Sequence, residues 1–367
     1  MARQSKPKKK GGFFRGLLRA IGTLLLIALL FVAALFVYLT VTEWKPADRE
    51  AAAVEGTPSR TLYTGVPVTM MTWNIGYGAL GDNADFFMDG GKGVHTADVQ
   101  RVTENLEGIM NEIASVTPEI LFVQEIDVDS TRSHRIDELA SFRRSLSAYA
   151  SSFGTNYRVA FVPYPIPPLG KIDSGVATFS AYPIESSERV QLPISFSWPV
   201  RMANLKRCAL ISRVPVANSD KELVLVNFHL EAYDSGEGKI AQTKMLADLL
   251  NAEQAKGNYV IAGGDCNQIF STADTTKYPA QEGKWAAGEI DVTQIAGDWQ
   301  FLMDDSVPTC RSLDQPYAGA DHATFQYYVI DGLIVSGNIR VDSLETVDLG
   351  FVCSDHNPVV MELTLLD

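Results

Sequence analysis

Apolar positions along the chain fall into three patterns. One is a single unbroken run, residues 20–41, in which 22 successive positions carry no charge. A helix needs about 20 such residues to cross a bilayer, so the run predicts a transmembrane helix. A second pattern is stepped. Val99, Val102, Leu106, Ile109 and Ile113 recur every three or four positions and lay one apolar stripe along a helix that ends by Pro118. Residues 239–255 repeat this with Ile240, Leu246, Leu249 and Leu250, and Gly257 follows; residues 135–150 read as a further helix. The third pattern is short apolar runs bounded by turn residues, at 66–75, 120–123, 157–162, 173–180, 208–214, 223–230, 259–262, 328–335 and 359–365. These predict buried strands, with 208–214 and 223–230 forming a hairpin across a polar turn.

The run at 259–262 stops at Gly263-Gly264-Asp265-Cys266-Asn267. Two glycines let the backbone turn sharply and set Asp265 and Asn267 on the lip of a sheet, where loops carry function. Other strands meet polar residues in the same way: Asn74, Gln124-Glu125, Asn227-Phe228-His229 and Asp331, with Ser354-Asp355-His356 just before the last strand. The order strand with Asn74, helix, strand ending on Glu125 is echoed by strand with Asn227, helix, strand ending on Asp265, at spacings of 51 and 38 residues. Two such β-α-β halves predict an α/β protein of two sheets packed face to face with helices outside. A Gly- and Asp-rich loop at 79–96 is long enough to shape a substrate site. Residues 163–168 form a stiff Pro-rich loop, and 268–297 read as irregular and polar.

Charge separates the N-terminus from the rest. Residues 1–19 hold seven Lys and Arg and no acid. Basic flanks stay on the cytoplasmic side, so 1–19 are expected in the cytoplasm, 20–41 in the plasma membrane, and the remainder outside. The run is too long for the apolar core of a cleaved signal peptide, roughly 7–15 residues. Residues 42–65 read as a polar linker and 66–367 as the catalytic domain. Beyond residue 19 the chain carries 24 Lys and Arg against 44 Asp and Glu, a net charge of −20. Nucleic-acid binders usually show a basic footprint, so this balance weighs against them without excluding a local basic groove around Lys171, Arg201, Lys206 and Arg207. The four cysteines have no Cys-x-x-Cys spacing. They are either all reduced and buried or partly paired, with Cys310 and Cys353 as the candidate pair.

Asn74, Glu125, Asn227, His229, Asp265, Asn267, Asp331, Asp355 and His356 together supply carboxylates, amides and imidazoles. Hard oxygen ligands suit Mg²⁺ or Mn²⁺ rather than zinc. Phosphoester cleavage needs charge neutralisation at phosphate oxygens, a positioned water and a proton route. Asn and His side chains can bind phosphate oxygens, Glu125 can hold the metal, Asp265 can orient water, and Asp331 can fix the tautomer of His356. No Gly-x-Ser-x-Gly elbow supports a serine hydrolase.

The pieces Thr72-Trp73-Asn74-Ile75, Gln124-Glu125, Ser174-Gly175-Val176, Asn227-Phe228-His229, Gly264-Asp265-Cys266-Asn267, Ile330-Asp331 and Ser354-Asp355-His356-Asn357-Pro358, in this order over 66–367, resemble the endonuclease/exonuclease/phosphatase superfamily. That group includes AP endonucleases, deoxyribonuclease-like enzymes, neutral sphingomyelinases and inositol polyphosphate 5-phosphatases. The resemblance implies a four-layer α/β sandwich of two mixed, mainly antiparallel sheets, and one-metal phosphoester hydrolysis. It implies Glu125 as principal metal ligand, with Asn74 beside it and Asp355 nearby. It implies His229 and Asn267 on phosphate, with Asn227 in the same set. Asp265 would act on the water, and His356, paired with Asp331, on the transition state. AP endonucleases carry a tyrosine where this chain has Asp173, which argues against abasic DNA. The expected function is a membrane-anchored, outward-facing phosphodiesterase or phosphatase for a phospholipid head group or a small phosphorylated substrate, with no protein partner. A surface nuclease, and a non-catalytic binding protein on the same fold, are the alternatives.

Overall fold

A computed structural model describes residues 11–234 and 236–367. The chain divides into two units, residues 1–43 and 44–367. In the first, the helix Gly11–Val41 includes the uncharged run and begins nine residues before it, taking in Arg15 and Arg19. At 1.5 Å per residue it is about 46 Å long, more than the ~30 Å of a bilayer's hydrocarbon. By length and composition it can cross a membrane. The other five basic residues of the tail (Arg3, Lys6, Lys8, Lys9 and Lys10) lie outside the described residues.

The second unit is built on two seven-stranded sheets. In spatial order the first runs Ile339–Thr346, Val359–Leu365, Pro67–Asn74, Ile120–Asp127, Gly170–Ser180, Ala150–Val162, Val54–Glu55. The second runs Arg49–Ala51, Ser186–Gln191, Cys208–Pro215, Glu222–His229, Tyr259–Asp265, Asp331–Ser336, Trp299–Leu302. Each contains one parallel pair, Pro67–Asn74 with Ile120–Asp127 and Glu222–His229 with Tyr259–Asp265; the other pairings are antiparallel. Three apolar layers hold the stack. Met70, Phe122, Leu225, Ile261, Leu333 and Met361 fill the space between the sheets. Trp73, Val102, Ile109, Leu121 and Phe142 join the first sheet to its outer helices, Val99–Val116 and Glu138–Ser145. Val224, Val226, Leu246, Leu250 and Val260 join the second sheet to the helix Glu237–Gln254. This is the expected α/β sandwich. Continuous apolar runs form its central strands because both of their faces are covered.

Three local expectations give way. The helix expected at 135–150 is only Glu138–Ser145, capped by the Asp137 carboxylate on the Ala140 amide at 2.8 Å. Residues from Ala150 onward instead pair with Gly170–Ser180 along a long ladder, and tertiary pairing outweighs local helix preference. The segment expected to be a polar linker is built into the sheets. Arg49–Ala51 pairs with Ser186–Gln191, Val54–Glu55 pairs with Ala150–Val162, and buried Leu62 bridges to Val216. Within 268–297, Gln268–Phe270 and Gly288–Ile290 form a small parallel ribbon. The four thiols are free. Cys310 bridges to His356 by backbone, whereas the Cys353 sulfur packs where Gly108 of an outer helix lacks a Cβ, so the candidate pair never meets.

Candidate active site

Strand register decides which polar side chains meet. Asn74 lies opposite Gln124 in the first sheet; in the second, Asp265 lies opposite His229 on one side and Asp331 on the other. Both parallel pairs therefore deliver their last residues to one rim. Two backbone devices aim them. Register slips between Gln124 and Ile126, and Glu125 sits at φ +57° in the resulting bulge. The left-handed region costs a non-glycine residue about 1–2 kcal/mol, and a bulge re-aims the side chain it carries. Gly264, at φ +138°, lies where any Cβ would fall 2.0 Å from the Phe228 carbonyl oxygen. Only glycine lets the strand approach its neighbour there and present Asp265. The loop bearing Asp355 and His356 is tied down from the first sheet. Trp73 Nε1 donates to the His356 carbonyl at 2.9 Å, and Ser354 Oγ donates to the Asn74 carbonyl at 2.8 Å.

Asp265 is the hub. Its Oδ2 accepts from Asn74 Nδ2 at 3.0 Å and lies 3.3 Å from His229 Nε2 and 3.8 Å from His356 Nε2. Its Oδ1 accepts from the Asn267 amide at 2.8 Å. His356 Nδ1 bonds Asp331 Oδ2 at 2.7 Å, which leaves Nε2 directed at the hub. Asn74 Nδ2 also reaches Glu125 Oε1 at 3.2 Å, while its Oδ1 is held by the Gly76 amide at 3.0 Å. A backbone N–H can only donate, so Asn74 turns its nitrogen to the carboxylates. Through that nitrogen it bridges Glu125 and Asp265.

Burial and mutual charge divide the ionisable groups. Burial raises the Asp265 carboxyl, His356 opposing and Asp331 adding to the rise. Burial lowers His229, and Arg207 and His356 lower it further, so it stays neutral. For His356 burial also works downward, but Asp331 and Cys310 overcome it and hold the ring protonated. Burial carries Asp355 up to about 6, His356 opposing and the Glu125 charge adding to it.

Glu125 and Asp355 thus load negative charge into one pocket, and a hard divalent cation between them would relieve it. Among the described residues, potential ligand atoms of Cys310, Asp355 and His356 also lie within 4.8 Å of one another. That trio suits an ion less well. Burial pushes the Cys310 thiol up to about 12, so it carries no thiolate at neutral pH, and His356 is engaged by Asp331.

The sequence model of the Endonuclease/Exonuclease/phosphatase family matches residues 71–356, over three quarters of the chain. The chain belongs to this family. No curated protein matches it significantly. Among solved structures it is similar to an endonuclease/exonuclease/phosphatase from Beutenbergia cavernae, at 19% identity and TM-score 0.56, covering 82% of this chain and 72% of that one. It is also similar to truncated TDP2 from Caenorhabditis elegans, at 16% and 0.51, covering 82% and 99%. ANGEL2, described as a 2',3'-cyclic phosphatase, matches at 13% and 0.52, covering 86% and 98% of the respective chains. These identities establish a shared fold. The family's enzymes are phosphoester hydrolases that generally use divalent metal ions.

Within this family fold the site opens into a cavity of about 470 Å³. Glu125, His229, Asp265, Asn267, Asp355 and His356 reach its wall. Asn267 spends one amide hydrogen on the Leu230 carbonyl at 2.9 Å. Asp331 stands behind His356. Asn227 does not reach the cavity. It is fully buried between the sheets, donating to the Ala177 and Val123 carbonyls at 2.8 and 3.3 Å and accepting from Gln124 Nε2 at 2.9 Å. Its expected place in the catalytic set is therefore corrected to a tie between sheets. Ser174 and Gly175 line the cavity, while Asp173 pairs with Arg158 at 3.1 Å.

The cavity also uses residues that no motif marked. Arg132 is buried, forked onto Asp127 at 2.9 and 3.1 Å, stacked 3.5 Å over the Tyr77 ring, and 3.9 Å from Glu125. Arg207 and Arg311 are buried on the same wall. Of these, only Arg207 had a sequence signal, as one of the scattered basic residues; the structure pairs another, Lys171, with Asp129. Asp89 comes from the Gly- and Asp-rich loop expected to shape the site. Tyr233 Oη donates to it at 3.0 Å, and burial pushes it up to about 7.

Proposed function

We propose that the chain is a membrane-anchored, divalent-metal-dependent phosphoester hydrolase. Its helix holds a catalytic unit outside the plasma membrane, and its substrate is a phospholipid head group or a small phosphorylated molecule. The observation that supports the reaction best is the single oxygen of Asp265 shared by Asn74, His229 and His356 beside the Glu125–Asp355 pair. Glu125 and Asp355 would hold Mg²⁺ or Mn²⁺, which when bound supplies a counter-charge for phosphate oxygens. Asp265, kept basic by burial, orients water and takes its proton. Neutral His229 holds Asp265 in place. Water's oxygen forms a new bond to phosphorus, and the ester P–O bond breaks with its electron pair on the leaving oxygen, which then takes a proton. His356, kept charged by Asp331, stabilises the negative charge of the transition state.

The test is a panel of phosphomonoesters and phosphodiesters given to the full chain in detergent micelles, with Mg²⁺, with Mn²⁺ and with chelator. Chelator-sensitive turnover that falls about 10²–10³-fold in Asp265→Asn is expected; no turnover on any ester would reject the reading. Protease added to intact cells should remove the catalytic unit, and protection until lysis would reverse the topology. The arginines on the cavity wall favour a second reading, a nuclease. They are tied to the protein's own carboxylates and carbonyls, and the unit outside the helix is acidic, which supports a small anionic group over a polynucleotide. Steep loss of activity with salt on DNA or RNA would favour the nuclease.

A further inference from the structure

The rim of the cavity carries exposed apolar side chains. Ile166, between two prolines, is 94% exposed, and Tyr164, which lines the cavity, is 68% exposed. The segment around Phe196, also a lining residue, exposes Ile194 at 43% and Val200 at 54%. The two loops are one assembly: Tyr157 Oη, on the strand leading into the first, donates to the Ala203 carbonyl of the second at 3.0 Å. Exposed apolar side chains gathered beside the mouth of a site, on a unit of net negative charge, are the kind of surface that a partner or a membrane covers.

The start of the unit indicates what covers that surface. Trp44, its first residue, lies under Arg189 and Arg158 at 4.9 and 5.6 Å, and its carbonyl accepts from Lys206 Nζ. Arg158 sits on the strand that feeds the first apolar loop, and Lys206 ends the second. Only Thr42 and Glu43 separate Trp44 from Val41, the last residue of the apolar helix, about 10 Å of extended chain. A bilayer crossed by that helix comes within that reach of the edge from which both loops project.

We propose that these loops dock on the bilayer, with Tyr164, Ile166, Ile194 and Val200 inserted among the lipids, so that the cavity opens onto the membrane surface. Aromatic and aliphatic side chains of this kind bind at the level of the headgroups and upper acyl chains. For the substrate, a consequence that rests on the hydrolase reading, the site takes the phosphoester of a lipid resident in the same bilayer.

The experiment places the full chain in phosphatidylcholine vesicles, with Ile166→Cys carrying a fluorophore and Asp220→Cys as control. Asp220 is exposed and lies at the far end of the strand Glu222–His229 from the site, about 25 Å away. The chain without either substitution, labelled in the same way, gives the blank for its native thiols. Nitroxide-bearing lipids should quench the Ile166 probe several-fold more than the Asp220 probe, and aqueous iodide should do the reverse. Equal iodide access at both positions overturns the docking, as does protection of Ile166 in detergent that grows with protein concentration, which would mean a second copy on the patch. A second arm uses Ile166→Asp/Val200→Asp. It should lower turnover of the vesicle phospholipid several-fold and leave turnover of a soluble aryl phosphodiester unchanged. Wild-type turnover of the soluble ester without any of the lipid refutes the lipid substrate alone. Turnover of neither refutes the hydrolase reading, while the quenching arm still decides the docking.

Discussion

The two halves of the molecule place the same residue on matching strands and use it differently. Asn74 ends its strand, level with the rim, and its amide bridges Glu125 and Asp265. Asn227 stands two residues before the end of its strand, about 7 Å deeper, and its amide fastens one sheet to the other. Side-chain type alone does not separate these roles. Depth along the strand does: an amide at the rim can serve a carboxylate in a cavity, whereas one further in must satisfy every hydrogen bond from the protein.

The comparison is broken most severely at the two carboxylates that the halves deliver, Glu125 and Asp265, and at His356 beside them. Asp265→Asn and His356→Ala should each lower kcat by about 10²–10³-fold with little change in KM, and together by less than the product, because groups acting as a unit are not additive. Glu125→Gln should instead raise the Mg²⁺ concentration needed for half activity. Metal titration alongside steady-state kinetics separates the two, and near-normal kcat in Asp265→Asn would remove its catalytic assignment. Asn227→Ala should cost about 1–3 kcal/mol of stability by leaving buried partners unsatisfied, with turnover per folded molecule retained. Asn74→Ala should do the opposite, and a denaturation curve with an activity assay on the same preparation checks both. If Asn227→Ala loses turnover without losing stability, the two strands are alike after all.

A smaller effect tests the bulge. Glu125→Gly should be about 1 kcal/mol more stable than Glu125→Ala, since glycine accepts φ +57° without strain; equal melting points would show that the bulge stores none. The smallest lies far from the rim, on the outer helix of the second half. Burial alone would raise the Glu253 carboxyl, but bonds from Arg213, Lys256 and Asn258 carry it down to about 2. A depressed folded pKa gives stability that is complete above the unfolded value, about 4.3, and is lost as pH falls toward 2. Glu253→Gln should flatten that part of the melting-temperature profile and leave the range above pH 5 parallel to wild type.

The central strands and the site's carboxylates and imidazoles were legible because each of those residues is a polar one at the boundary of an apolar run, a break that sequence records directly. Arg132 and Arg311 were not. A buried arginine is identified by its partners, here Asp127 and the Tyr77 ring for one and the Gly81 carbonyl for the other, and these come from separate segments. The role of Asn227 was hidden for the reason already given, since it turns on where its strand stops. Arg49–Ala51 and Val54–Glu55 were missed because strands of three and two residues have no period to read. They form only because two finished sheet edges offer them partners.

Those two short strands have a practical consequence for anyone cutting the chain. A fragment begun at residue 65 or 66 would leave Ser186–Gln191 and Ala150–Val162 as bare outermost strands, each showing a row of unpaired N–H and C=O groups. Such rows are templates for pairing with another molecule. The segment ahead of residue 66 therefore acts as a guard against self-association. A soluble fragment should start at Trp44, and one started at residue 66 should accumulate as oligomers on size-exclusion chromatography although its catalytic residues are all present.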